Sequence, residues 1–288
     1  MKIDRRNFFR VVGVTGASLA LNEKLNATPE NTPDDDSYGL LIDSFMCGGC
    51  QSCEFACAEA HGFAEPVEEP QVGLLRKTDH TRRTVVNAFE TSEGEVTIKN
   101  QCMHCIDPAC VSACLTKAMF KTPEGPVVWR EDKCMGCRYC MISCPFDVPK
   151  FEYHSPNPRI IKCDMCYDRI KEGEIPACAE ICPADAIVFG KRSELRKEAR
   201  TRISEFPEFY RDYMYGETEA GGTGVIYIGQ VPFDEVGLKT GLEKNSYPSL
   251  SKGFLYSVPF VFVLWPPLLL GIHEATKNNQ TKNPDADE

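Results

Sequence analysis

The sequence predicts an α+β fold of two cysteine-rich units, one inserted in the other, followed by a single C-terminal transmembrane helix. Three observations predict it. All 16 cysteines of the 288-residue chain fall into four groups of four. A short hairpin pattern lies between the second and third groups. Near the C-terminus, the run from Phe254 to Ile272 carries no charged residue.

The groups are Cys47, Cys50, Cys53 and Cys57; Cys102, Cys105, Cys110 and Cys114; Cys134, Cys137, Cys140 and Cys144; and Cys163, Cys166, Cys178 and Cys182. Groups three and four end on Pro145 and Pro183, whereas Ala58 and Leu115 follow the last cysteine of groups one and two. Three chemistries compete for such groups. Disulfides do not call for a repeated C-x2-C-x2-C-x3-C spacing. Zinc prefers two separated pairs closing one tetrahedron, and groups one and three do not divide into pairs. The run from Cys134 to Pro145 matches the bacterial signature of cysteinyl iron–sulfur ligation. In that pattern three closely spaced thiols reach one cubane, and the fourth, further along, can reach a neighbour. Four [4Fe–4S] clusters are the expected cofactors.

Spacing alone leaves open which groups share clusters. The residues between Cys114 and Cys134 read as two strands, Ala118–Lys121 and Pro126–Trp129, around a turn at Pro123-Glu124-Gly125. A hairpin between two cysteine motifs suits a compact two-cluster unit. Group four is likewise followed by a short apolar strand, Ala186–Gly190. Groups two and three therefore read as one unit inserted between groups one and four.

The N-terminus places Arg5-Arg6, Phe8-Phe9 and Arg10 before a short, weakly apolar run, in the manner of a twin-arginine export signal. That route suits clusters assembled before export, because it moves folded proteins. At about 1.5 Å per residue a helix over 254–272 spans roughly 28 Å, close to the hydrocarbon thickness. Pro259, Pro266 and Pro267 inside it point to packing against an integral membrane partner. Lys252 and Lys277 flank the span almost symmetrically, so charge bias does not orient it. With export, the globular part is periplasmic and the tail from His273 cytoplasmic.

Other features carry less. The net charge of −10 lacks the basic surplus that nucleic-acid binding requires. The acidic stretches Asp34-Asp35-Asp36 and Asp285–Glu288 read as solvated ends. His104 suits hydrogen bonding or packing near a cluster more than ligation. No C-x-x-C-H is present, so covalent haem is not indicated. Gly221-Gly222-Thr223-Gly224 lacks a P-loop context and reads as a turn into a strand at Val225–Ile228. Ser193–Glu205 reads as an exposed helix with i,i+4 pairs. Lys133 and Arg138 are either solvated charges or tuners of a cluster's potential. No serine–histidine or paired-carboxylate constellation stands out, so a non-catalytic subunit is expected.

The segments CMHCIDPACVSAC (102–114), GCRYCMISCPFDVPK (136–150), CPADAIVFG (182–190) and YGETEAGGTGVIYI (215–228) make the chain resemble the four-cluster ferredoxin-like iron–sulfur subunits of bacterial membrane oxidoreductases. It is most similar to the electron-transfer subunits of hydrogenase-2 type [NiFe]-hydrogenases. The resemblance implies two ferredoxin-like 2[4Fe–4S] units, one nested in the other. It also implies crossed ligand sets: Cys47, Cys50, Cys53 with Cys182; Cys163, Cys166, Cys178 with Cys57; Cys102, Cys105, Cys110 with Cys144; and Cys134, Cys137, Cys140 with Cys114. The implied domains are a signal segment at 1–27, a linker at 28–39, a first unit at 40–100 and 151–235, and an inserted unit at 101–150. A linker at 236–253, the transmembrane helix at 254–272 and a polar tail at 273–288 complete the chain. The implied role is electron relay at the periplasmic face of the inner membrane. Electrons would pass from the large and small hydrogenase subunits to an integral membrane subunit that reduces menaquinone or ubiquinone. The same relay beside a molybdopterin enzyme, a formate dehydrogenase or a sulfoxide or sulfur-oxyanion reductase, is the alternative. A non-redox zinc or disulfide scaffold is the distant one.

Overall fold

The computed structural model describes residues 37–280, which hold every cysteine. The expected signal segment, residues 28–36 of the expected 28–39 linker and the end of the polar tail lie outside the described residues. In chain order the elements are β1 (Tyr38–Asp43), α1 (Ser52–His61), β2 (Val85–Thr91), β3 (Gly94–Asn100), α2 (Ala109–Ser112), β4 (Met119–Lys121), β5 (Val127–Trp129) and α3 (Tyr139–Ser143). There follow β6 (Lys150–Phe151), β7 (Ile160–Ile161), α4 (Tyr167–Lys171), α5 (Ala177–Glu180), β8 (Ile187–Lys191), α6 (Arg192–Glu205), β9 (Val225–Ile228) and α7 (Tyr247–Gln280). The described residues up to Leu250 form one compact body, and those from Ser251 belong to another.

β1 is the middle strand of a three-stranded sheet, antiparallel to β8 and parallel to β9, with Leu40 opposite both Phe189 and Val225. Side chains alternate across a strand. Leu40 and Ile42, with Ile187, Val225 and Tyr227, therefore face a core that also holds Cys53 and Cys178. Leu41, Ile226 and Ile228 face the other way, onto Leu195, Ala199 and Ile203 of α6. Burying each such aliphatic side chain contributes about 1.5–3 kcal/mol. The sheet is thus the wall between the cysteine-bearing core and a helix.

Two expectations are corrected here. β1 starts inside the stretch expected to be linker, and its Leu-Leu-Ile run is central. The helix expected to be exposed at 193–205 buries Leu195, Ala199 and Ile203 along one face, at i,i+4 spacing. Its outer face does carry an i,i+4 pair, Arg202 to Glu198 at 2.9 Å. β4 and β5 match the expected hairpin to within one residue, with Met119 opposite Trp129. Its turn is docked on the start of β1, where Tyr38 N–H donates to Glu124 O at 2.7 Å. Gly125 sits there at φ 121, and a Cβ on it would lie 2.7 Å from Tyr38 O. Only glycine fits that approach.

The β2–β3 hairpin, not anticipated from the sequence, is tied to α1 around a buried ion pair whose arginine lies in the loop before β2. Arg76 Nη2 lies 2.6 Å from Glu54 Oε1, with both side chains almost wholly buried. Val86 N–H of β2 donates to the same carboxylate, and Arg76 donates in turn to Val86 O. Asn87 exchanges two 2.9 Å hydrogen bonds with the Arg76 backbone. α1 carries Cys53 and Cys57, so this network fixes two thiols.

α7 is longer than the expected 254–272 span and absorbs part of the expected 236–253 linker. Tyr247–Lys277 is long and apolar enough to cross a membrane, and none of its most apolar stretch is buried within the protein.

Replacing Arg76 with Met strands the Glu54 carboxylate in the core. Stability measured by chemical denaturation is expected to fall by about 3–5 kcal/mol, the cost of breaking a buried pair from one side. The Glu54→Met, Arg76→Met double variant is expected to recover most of that loss.

Candidate metal centres

The four cysteine groups share one backbone device. The residue before the second cysteine of each group has positive φ: Gly49 (69°), His104 (48°), Gly136 (72°) and Met165 (60°). A left-handed residue turns the loop back on itself, so the first two thiols converge instead of alternating outward. The third cysteine of each group is then the second residue of a helix: Cys53 in α1, Cys110 in α2, Cys140 in α3 and Cys178 in α5. After the fourth cysteine, groups two, three and four turn again at Lys117, Asp147 and Asp185, all at positive φ. Each of these donates its N–H to the carbonyl of that cysteine. Group one differs, because Cys57 stays within α1.

These turns gather the thiols in four sets. Cys47, Cys50, Cys53 and Cys182 line one small pocket with Ile42, Val86, Ile187 and Lys99. Burial pushes the Cys57 thiol well up, and the nearness of Cys163, Cys178 and Cys166 adds to it. Burial likewise raises Cys105, beside Cys102, Cys144 and Cys110. Cys140 is pushed up to about 11 by burial and then by Cys114, Cys134 and Cys137. In every set the fourth member comes from another group.

The sets also influence one another in order. Cys53 is pushed up to about 12, by burial and in part by Cys178 of the second set. Cys163, also at about 12 through burial, feels Cys102 of the third set. Cys110, at about 12, feels Cys140 of the fourth. Cys50 and Cys137, in the first and last sets, are the exposed thiols.

The donor chemistry fits a soft, anionic occupant. All sixteen thiols are free, so no disulfide competes. Buried thiols held near 11–12 stay neutral unless a metal displaces the proton. Two lysines are buried among them. Lys99 is 1% and Lys162 4% exposed. Burial alone would depress both ammonium groups, whereas negative charge on the surrounding sulfurs raises both. Their other partners are neutral, an amide for Lys99 and two carbonyls for Lys162, so these buried cations call for negative charge on the sulfur beside them, which iron–sulfur clusters held by four thiolates would supply.

His104 behaves as expected of a neighbour. It is fully buried, and its Nδ1 accepts from Val127 N–H of β5 at 2.9 Å. Burial, then Lys162, Lys121 and Lys99, hold its pKa well below 6.5. Lys133 and Arg138 are exposed, with the Arg138 guanidinium 5.5 Å from the Phe151 ring. Gly221 and Gly222 lie at φ 83 and 87 in a turn leading to β9. His61, which sequence reasoning passed over, places Nε2 3.6 Å from Cys166 Sγ. Asp164, 3.5 Å from the same imidazole, is paired with Arg83.

A model of the 4Fe-4S dicluster domain matches residues 95–192. The hydrogenase-2 operon protein HybA of Escherichia coli O157:H7 is 35% identical over 98% of this chain and 97% of its own. A protein of Nitratidesulfovibrio vulgaris is 40% identical over 96% of this chain and 78% of its own length. The formate dehydrogenase-O iron-sulfur subunit of Escherichia coli K12 is 31% identical, covering 85% and 81%.

Because folding depresses the His104 pKa below its ordinary 6.5, the unfolded chain binds a proton that the folded chain resists. The stability so contributed is present above 6.5 and is lost as pH falls below it. The denaturation midpoint of the loaded protein is expected to drop between about pH 7 and pH 5. His104→Asn tolerates the left-handed backbone and keeps an acceptor for Val127 N–H. It is expected to flatten that slope.

Proposed function

The chain belongs to the family of iron–sulfur electron-transfer subunits of oxidoreductase complexes that includes the hydrogenase-2 operon protein HybA, and from that premise we propose that it relays electrons through four [4Fe–4S] clusters between a periplasmic [NiFe]-hydrogenase and a quinone-reactive integral membrane subunit. The observation that carries this reading is the chain of four thiol sets, each completed by a cysteine from another group. When bound, clusters supply one-electron chemistry. The chain's residues space them, keep water from the inner sets and hold charge beside them.

On this reading Cys47, Cys50, Cys53 and Cys182 ligate the first cluster, and Cys57, Cys163, Cys166 and Cys178 the second. Cys102, Cys105, Cys110 and Cys144 ligate the third, and Cys114, Cys134, Cys137 and Cys140 the fourth. The electrostatic influence of Cys178 on Cys53, of Cys102 on Cys163 and of Cys140 on Cys110 supports that order of relay. Exposed Cys50 and Cys137 mark the ends where electrons enter and leave. The nested arrangement, 101–150 within 40–100 and 151–235, follows from the same crossing. The twin-arginine segment and the apolar helix support placement at the periplasmic face of the membrane, with menaquinone or ubiquinone as terminal acceptor. The same relay beside a formate dehydrogenase is the second reading, favoured by the 31% identity to that enzyme's iron-sulfur subunit.

The complex purified from washed membranes is expected to carry about 16 iron atoms per copy of this chain, from four cubanes. It is also expected to contain nickel. Molybdenum or tungsten in place of nickel would move the chain to the second reading, and zinc without iron would end both. Cys144→Ser is expected to alter the spectrum of the cluster held by Cys102, Cys105 and Cys110. A change confined to the cluster of Cys134, Cys137 and Cys140 would refute the crossed assignment.

A further inference from the structure

Two of the three gaps between successive thiol sets contain a buried lysine. Lys99, on β3, lines the pocket of Cys47, Cys50, Cys53 and Cys182 and is bonded to Gln101. The thiols that act on its charge are Cys178, Cys53 and Cys163, drawn from both the first and second sets, so we place it between them. Lys162 directly precedes Cys163. Its Nζ lies 3.7 Å from Cys102 Sγ and donates to Cys163 O at 2.7 Å and to Val127 O. It stands between the second and third sets. Among the described residues these are the fully buried lysines, and neither reaches a carboxylate within ion-pair distance. The largest influences on the two lysines come from thiols of the first three sets and not from Cys114, Cys134, Cys137 or Cys140.

A positive charge fixed in a dry gap stabilises whichever neighbour gains an electron, and low local dielectric enlarges the effect. We propose that Lys99 and Lys162 are positioning residues for charge, raising the reduction potentials of the first three clusters and leaving the cluster of Cys114, Cys134, Cys137 and Cys140 the lowest of the four. The proposal rests on the cluster assignment above. It predicts a pattern that general loosening of the core does not. Lys99 acts on the first and second clusters, Lys162 acts on the second and third, and neither acts on the fourth.

The test is a redox titration of the purified complex followed by electron paramagnetic resonance, on wild type, Lys99→Met and Lys162→Met, with iron counted in each. In Lys162→Met the second and third clusters are expected to become at least tenfold harder to reduce at fixed potential, about 59 mV for a one-electron couple. The first and fourth should stay where they were. In Lys99→Met the first and second clusters shift instead. Iron-replete Met variants with unchanged potentials, or with equal shifts at all four clusters, overturn the inference and leave the relay reading intact. Wild-type complex without iron fails the relay reading itself. If a Met variant does not load iron, Lys→Gln, which retains a donor for the carbonyls, carries the same measurement. Loss of iron in both neutral variants with retention in Lys→Arg supports the need for charge. Loss in all three reduces the lysine to packing and overturns the inference.

Discussion

Everything in the globular body depends on thiols that must be buried and must nevertheless come together. One core cluster consists of Cys110, Met119, Val127, Cys140 and Ile160, flanked by Cys114 and Cys134. Another contains Cys102, Val148 and Cys163, flanked by Cys144. Around these sites the cysteines are the core, with few aliphatic side chains beside them. A neutral thiol is a small apolar group and contributes modestly to packing. On the proposed ligation the same thiols would join segments distant in sequence, such as Cys57 with Cys163, and metal binding would become part of the folding free energy. The proposed crossing of the fourth cysteine would follow from this economy. A loop that kept all four thiols at one site would leave neighbouring sites free to separate, whereas sharing them locks adjacent sites together.

The backbone carries a cost for that arrangement. Left-handed conformation is free for Gly49 and Gly136 but strained for buried Met165, and for His104 it is tolerable. In groups one and three the next position but one, Gln51 and Arg138, is left-handed as well. These are the groups with C-x2-C-x2-C spacing, where two residues must reverse the chain between second and third thiols. Groups two and four have longer spacers there and reach the third thiol after Pro108 and Pro176, each placed just before its helix. Spacing differs, while the end point, a thiol in the first turn of a helix, is the same.

That regularity explains what was legible in the sequence. Cysteine identity and spacing are local, so the four groups, the β4–β5 hairpin, β9 and the apolar C-terminal helix can be read directly. β1 and the β2–β3 hairpin were not, because their roles come from long-range pairing: β1 is flanked by β8 and β9, which lie far along the chain. α6 misled because arginines and glutamates dominate its composition, while its buried face consists of only a few apolar side chains at the right spacing. Lys99 and Lys162 were missed for the same reason. A lysine is exposed by default, and only the fold shows that both end beside sulfur. A weak local signal existed for Lys162, which sits between the buried pair Ile160-Ile161 and Cys163.

The C-terminal helix extends the argument beyond this chain. Proline lacks the N–H that would bond to the carbonyl four residues earlier. Pro259, Pro266 and Pro267 therefore deprive Leu255, Phe262 and Val263 of their helical donors. In water such carbonyls are solvated without penalty. In hydrocarbon each costs several kcal/mol, by about the amount of any unsatisfied peptide group. Leu255, Phe260, Phe262, Leu264, Trp265 and Leu270 are all more than half exposed on this helix, an apolar surface that disfavours an aqueous setting. The two demands, apolar surroundings and donors at three carbonyls, are met together by a membrane protein with polar side chains or bound water facing the proline turns. A subunit built to hand electrons to the membrane would, on these grounds, be held there by its partner as much as by the lipid.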